Sequence, residues 1–136
     1  MRPRMRIRRH HQRGQSLVET AIMIVVILTV VFSVFELGWL MYTYSVLADA
    51  ANEGVRYAIV HSGGDPTGAQ AKVKTFAGTS MHNVGAISTS VTFPDGSAAP
   101  PNRVRVTVTY TYIPYLPKFI TAPTMHTFAE GRMVAP

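Results

Sequence analysis

The chain has no cysteine. That excludes a disulfide framework and any thiolate metal site, so a fold outside the cytoplasm would rest on burial and backbone pairing alone. No proline occurs between Pro3 and Pro66, so nothing in that stretch forces a helix to break. Acid is missing from Met1–Arg13, where Arg2, Arg4, Arg6, Arg8, Arg9 and Arg13 lie. Charge of either sign is missing from Ala21–Phe35, whose only polar residues are Thr29 and Ser33. Beyond Gly14 the cations Arg56, Lys72, Lys74, Arg103, Arg105, Lys118 and Arg132 are matched in number by acids, so the net charge of +6 belongs to the N-terminal segment alone. A nucleic-acid surface needs basic residues spread over a folded domain, and this distribution argues against one.

What is present begins with an apolar stem. The 15 residues Ala21–Phe35 would rise about 22 Å as helix, short of the roughly 30 Å hydrocarbon core of a bilayer. Extending the stem from Leu17 to Tyr44 reaches membrane length and takes in Glu19 and Glu36. A carboxylate at the bilayer centre costs about 2.5–3.5 kcal/mol even on the mildest scale, so an acid in such a stem calls for a partner. Trp39, Tyr42 and Tyr44 follow the stem as an aromatic cluster of the kind found at the membrane–water boundary. A secretory h-region is shorter and is followed by small residues for cleavage, which favours a retained span. Basic residues before a span stay in the cytoplasm, so the N-terminus is expected inside and the rest outside. An ordinary secretory n-region is a second reading of Met1–Arg13. A nucleic-acid arm is a third, disfavoured because the arginines abut the apolar stem.

Helix is expected to continue past the stem. Leu47, Ala51, Val55, Ala58 and Ile59 recur at three- and four-residue spacing, with Asp49, Asn52, Glu53 and Arg56 on the other side. Ser62-Gly63-Gly64-Asp65-Pro66 is a stop signal. One helix from about Ser16 to about His61 would be close to 70 Å long. Thr67–Ala77 reads as a short amphipathic helix, with Ala69, Val73, Phe76 and Ala77 inward and Lys72 and Lys74 outward. Ile87, Thr89, Val91 and Phe93 alternate with polar residues as a half-buried strand. Arg103–Tyr112 is the clearest strand, with Val104, Val106, Val108, Tyr110 and Tyr112 on one face and Arg105, Thr107, Thr109 and Thr111 on the other. Ile113–Pro123 is expected as a loop lying against the domain, and Met125–Val134 as a third strand. The fold class is therefore α+β: a long N-terminal helix, membrane-spanning and then amphipathic, packed on a small antiparallel sheet of about three strands. The expected divisions are a basic leader over 1–14, the long helix over 15–62 (about 17–44 spanning, 45–62 amphipathic) and a small extracytoplasmic domain over 63–136.

Other local patterns carry no chemistry. Gly63 to Gly68 has the outer spacing of a phosphate loop, but Ala69-Gln70 stands where Lys and Ser or Thr are needed. His61, His82 and His126 fall on separate segments, without the pairing a metal site requires. Ser16 lacks the glycine elbow and base of a nucleophile. Asp65 and Asp95 sit in turns, where they cap backbone groups. With no carboxylates paired for acid–base work, the expectation is a protein that is not an enzyme, with no metal site and no cofactor.

Three stretches in register resemble the TadE-like minor pilins, or pseudopilins, of tight-adherence (Tad, Flp-type) pilus systems. Arg13-Gly14-Gln15-Ser16-Leu17-Val18-Glu19 resembles a prepilin-peptidase site followed by the family's entry into its span. Phe35-Glu36-Leu37-Gly38 is similar to the acid-and-glycine step at the end of that span. Ala48-Asp49-Ala50-Ala51-Asn52-Glu53-Gly54-Val55-Arg56-Tyr57-Ala58 is similar to the alanine-rich stretch leading into Glu-Gly-Ala-Arg-Tyr-Ala. Thr20 stands where the family usually has an aromatic residue. The likeness covers about the first sixty residues.

The resemblance implies cleavage between Gly14 and Gln15 by a prepilin peptidase, then assembly through the helix with other pilin-like subunits and an inner-membrane platform. Glu19 would pair with the N-terminal amine of a neighbouring subunit, or else snorkel to the headgroups beside Arg13. Cyclisation of a free Gln15 would remove that amine. Glu36 is expected to be hydrated near the outer boundary, with contact to another subunit as the alternative. Gly38 either permits close helix approach or is merely tolerated. Glu53 and Arg56 read as a solvated face and Tyr57 as the start of domain packing. The competing reading is an uncleaved single-pass protein that presents its domain to a binding partner. A secreted domain behind a cleaved signal is a third. The three predict mature N-termini at Gln15, at Met1 or Arg2, and beyond about Ser45. The loop Ile113–Pro123 and the threonine face of Arg103–Tyr112 are candidate contact surfaces.

Overall fold

The computed structural model describes residues 12–81, 83–115 and 121–134. Residues 1–11 of the expected leader, His82 and the middle of the expected Ile113–Pro123 loop lie outside the described residues. The long helix forms as one piece, α1, Gln12–Val60. It stops where glycine permits the chain to reverse: Gly63 and Gly64 take φ of 67° and 69°, and Asp65 follows at 26°. A second helix, α2 (Pro66–Gly78), starts at once. Asp65 is its N-cap, accepting a hydrogen bond from the Gly68 amide at 3.1 Å, and Pro66 occupies the first turn, where its missing N–H costs nothing. At the far end the Thr79 hydroxyl donates to the Phe76 carbonyl at 2.7 Å. Three antiparallel strands follow: β1 (Ile87–Thr92), β2 (Arg103–Thr111) and β3 (Thr124–Arg132), with β2 central.

The chain divides into two compact units between Leu37 and Gly38. In the first, every residue from Gly14 to Phe35 is exposed. Its hydroxyls turn onto the helix itself. Thr20, Thr29 and Ser33 donate to the carbonyls of Ser16, Val25 and Thr29 at 2.8–2.9 Å, so these donors need no water. An apolar surface of this size exposed on a helix marks contact with lipid or with other helices. The helix is long and apolar enough to cross a membrane.

The second unit has its own core. One face of α1 contributes Leu47, Ala50, Ala51, Val55 and Ala58, and α2 contributes Ala69, Val73 and Ala77. The sheet contributes Val104, Val106, Val108 and Tyr110 from β2, and Met125 and Ala129 from β3. The expected alternation in β2 holds residue by residue, because the period-2 pattern puts every second side chain on the core face. Each fully buried Leu or Val contributes roughly 1.5–3 kcal/mol by leaving water. Val106 pairs with Val91 on one side and Ala129 on the other, centring the apolar ladder under α1. Gly131 does not weaken β3 as a strand; it clears space, since a Cβ there would meet Val55 Cγ1 at 2.6 Å and Ile59 Cγ2 at 2.9 Å.

One expectation needs correction, and two positions add detail. Phe76 is 38% exposed, because Ala69, Val73 and Ala77 complete the inward stripe of α2 without it. Thr89 falls on the core side of β1 as expected, but its buried Oγ1 has no hydrogen-bond partner among the described residues. At the start of the expected loop, Ile113 and Tyr115 are 60% and 71% exposed, while Pro114 between them is buried. The alternation of the strand continues into the start of the loop and turns Ile113 and Tyr115 outward.

Candidate assembly helix

The proposed cleavage bond, Gly14–Gln15, lies in the first turns of α1. Both residues are exposed, and open space surrounds the Gly14 Cα. One turn on, Glu19 is exposed on the apolar stem, where the Gln15 Nε2 donates to its Oε1 at 3.1 Å. The i,i+4 spacing makes this pair possible, because those positions stack on one helix face. The carboxylate thus has a partner within its own chain, one that inspection of charge alone does not reveal.

Glu36 departs from its expectation. It is 5% exposed, so it is not a hydrated boundary acid. Gly38 has nothing within 4 Å of where its Cβ would stand. This openness serves helix approach or is neutral, as the sequence reading left it.

The stretch Glu53–Tyr57 splits into two kinds of residue. Glu53 and Arg56 meet at 3.6 Å on the wet side of α1, with the arginine side chain 78% exposed, a pair of small energetic weight. Gly54 faces inward and is the joint at which α1 meets α2 and β2; a Cβ there would lie 2.6 Å from Val73 Cγ2 and 3.2 Å from Val106 Cγ1. Tyr57 is half-buried and secures the helix stop. Its hydroxyl donates to Asp65 Oδ2 at 3.0 Å, its ring stacks on His61 with centroids 3.8 Å apart, and Lys72 Nζ lies 5.8 Å from the ring centroid. The hydrogen bond to the Asp65 carboxylate holds the phenol proton and raises the Tyr57 pKa above its ordinary range.

The outer face of the sheet carries a second polar group of residues that the sequence reading treated only as a threonine face. Arg103 donates to Asp95 through its backbone amide at 2.8 Å and through Nη2 at 2.8 Å. Glu130 bridges Arg103, at 3.6 Å, and Arg105. The Arg103 guanidinium holds the Asp95 carboxyl down to about 2. The Arg105 guanidinium also lies 5.0 Å from the ring centroid of Phe128, which is 62% exposed. The signal for this network was present in the sequence, but only the β2–β3 register places Arg105 opposite Glu130. No group of three or more histidine and acidic side chains is arranged to hold a metal among the described residues.

The described residues thus form a helix long and apolar enough to cross a membrane and a small α+β unit packed on its second half. The model of the family described as TadE-like protein matches residues 14–56, about a third of the chain and most of α1. Over that stretch the chain is similar to TadE-like proteins. No curated protein and no solved structure matches it significantly.

Proposed function

We propose that this chain is a minor pilin or pseudopilin of a Tad-type pilus or secretion apparatus. On this reading it is not an enzyme. It is stored in the cytoplasmic membrane with its N-terminus inside and its domain outside, cut between Gly14 and Gln15 by a prepilin peptidase, and assembled through α1 with other pilin-like subunits on an inner-membrane platform. The carrying observation is Glu19: a carboxylate on an otherwise apolar, fully exposed helix face, inside the TadE-like match and five residues after Gly14. In lipid such a group is stabilised only by a donor close at hand. Gln15 supplies one in the single chain, and cleavage would add a second, the new amine, one turn away.

Gln15 also sets a chemical fork. If the freed α-amine attacks the side-chain Cδ, the amide nitrogen leaves as ammonia and a neutral lactam remains. Both Glu19 donors would be altered in one step: the amine becomes a lactam N–H and Nε2 is lost. Intact mass of the mature protein distinguishes the two forms, and loss of ammonia rules out amine pairing.

The test is the mature N-terminus of membrane-extracted protein, with and without Glu19→Ala. A start at Gln15, together with loss of co-purifying pilin-like subunits in the variant, supports the proposal. A start at Met1 or Arg2 favours the uncleaved anchor displaying its domain. A start beyond about Ser45, with the protein free in the medium, overturns both.

A further inference from the structure

The exposed pair Ile113 and Tyr115 does not stand alone. Tyr115 packs edge-on against Trp39, with ring centroids 6.1 Å apart and planes at 67°, and Trp39 in turn lies 5.4 Å from Tyr42. These rings wall a cleft of about 410 Å³ whose other walls include Thr43, Tyr110 and Ile113. None of the described residues lining it is charged. Trp39, Tyr42 and Tyr115 are 37%, 45% and 71% exposed. The surface is thus aromatic, rich in hydroxyls and partly open, with no charge to favour bulk water.

Its place along the chain selects the occupant. Residues 14–37 of α1 rise about 36 Å, enough to cross a hydrocarbon core of roughly 30 Å, so Trp39 falls where the bilayer gives way to water. Tryptophan and tyrosine concentrate at that depth because each has an apolar body and one polar hydrogen-bonding group. The start of the β2–β3 loop shares the depth because Tyr115 touches Trp39. We propose that Ile113 and Tyr115, with Trp39 and Tyr42, form a second lipid contact, so that the start of the β2–β3 loop rests in the headgroup layer of the membrane that holds α1. The domain then has two attachments to the bilayer, the helix and this aromatic foot. This proposal rests on the anchor reading of α1, and the experiment separates the two.

The native chain has no cysteine and one tryptophan, so single cysteines can be added to the full-length protein without a background. Ile113→Cys, Val26→Cys and Ser90→Cys, each at an exposed position, are labelled with an environment-sensitive fluorophore. Each protein is reconstituted into phosphatidylethanolamine–phosphatidylglycerol vesicles containing nitroxide lipids. The expected result is a blue-shifted label at position 113, quenched several-fold more by headgroup-region nitroxide than the label at 90, with the label at 26 quenched by deep nitroxide. If position 26 is quenched while position 113 behaves like position 90, the foot is overturned and the anchor stands. If position 26 is not quenched, the anchor reading fails and the foot with it. Shielding of position 113 that appears in detergent without bilayer and grows with protein concentration assigns the face to a second copy, and overturns the lipid contact.

Discussion

Replacing Gly54 by alanine sets two physical effects of known sign against each other. On an isolated helix the change is favourable, since alanine is better than glycine by about 1 kcal/mol in a helix interior. Here the new methyl would stand 2.6 Å from Val73 Cγ2, 3.2 Å from Val106 Cγ1 and 3.5 Å from the Ala69 carbonyl oxygen. Val73 and Val106 are fully buried, and β-branching leaves each little rotamer freedom with which to retreat. Relief therefore requires α1 to move off α2 and β2. Overpacking of this kind costs typically 1–3 kcal/mol, and contact with two stiff neighbours puts it at about 2–3 kcal/mol. The net expectation is a loss of about 1–2 kcal/mol, or a fall in Tm of roughly 5–15 °C for a unit of this size. Thermal unfolding of the detergent-solubilised full chain, followed by Trp39 fluorescence, measures it. Val73→Ala alone should also destabilise, but added to Gly54→Ala it removes the clashing methyl. The double variant should be more stable than the sum of the singles by about 1 kcal/mol or more, the coupling expected of touching residues. A Gly54→Ala protein as stable as the parent would refute the argument, because helix propensity would then outweigh a joint that yields freely.

Gly63→Ala and Gly64→Ala share a left-handed backbone but not a neighbourhood: nothing lies near the first, whereas a Cβ at the second would meet the Phe93 ring at 2.8 Å. The first should cost about 1–2 kcal/mol from backbone strain alone and the second clearly more, and equal losses in thermal unfolding would show that the contact with Phe93 is slack. Thr89→Val replaces a buried hydroxyl lacking a hydrogen-bond partner among the described residues with a methyl of similar shape, so stability should rise by about 0.5–1.5 kcal/mol; a fall in denaturant midpoint would reveal a hydrogen bond at Oγ1. Asp95 is held at about 2 against an ordinary 3.8 by the Arg103 side chain and amide, so its contribution is full above the ordinary value and is lost as pH falls toward about 2. Asp95→Asn should flatten the acid limb of the stability–pH curve over that window, and an unchanged limb would show that other carboxylates dominate it.

Much of this architecture was legible because it depends on periodicity, which is local. The apolar stem, the stop at Gly63-Gly64, the cap at Asp65 and the alternation from Val104 to Tyr110 each need only neighbours within a few residues to be read. The misread positions are those whose environment comes from elsewhere in the chain. Glu36 was read by its place at a boundary, yet it is buried. Ile113 and Tyr115 were read by their hydrophobicity, which does not say which way a loop turns. Gly54 and Tyr57 were read as parts of a motif, and their separate uses as a close-packing joint and as a tie to Asp65 depend on α2 returning beside α1.

The sequence by itself determined that this protein has a helix fit for a membrane, that the helix continues as an amphipathic rod, and that its net charge comes from residues 1–13. Those are properties of composition and spacing, and no distant residue is needed to create them. Only the tertiary structure decided that Glu130 joins Arg103 to Arg105, that Tyr57 ties to Asp65, and that Tyr115 packs edge-on against Trp39. These contacts depend on rotamer, strand register and loop direction. Each is chosen by the packing of the whole unit, because a side chain's hydrogen bonds and ring contacts reach only a few ångströms and sequence distance says little about which groups come that close.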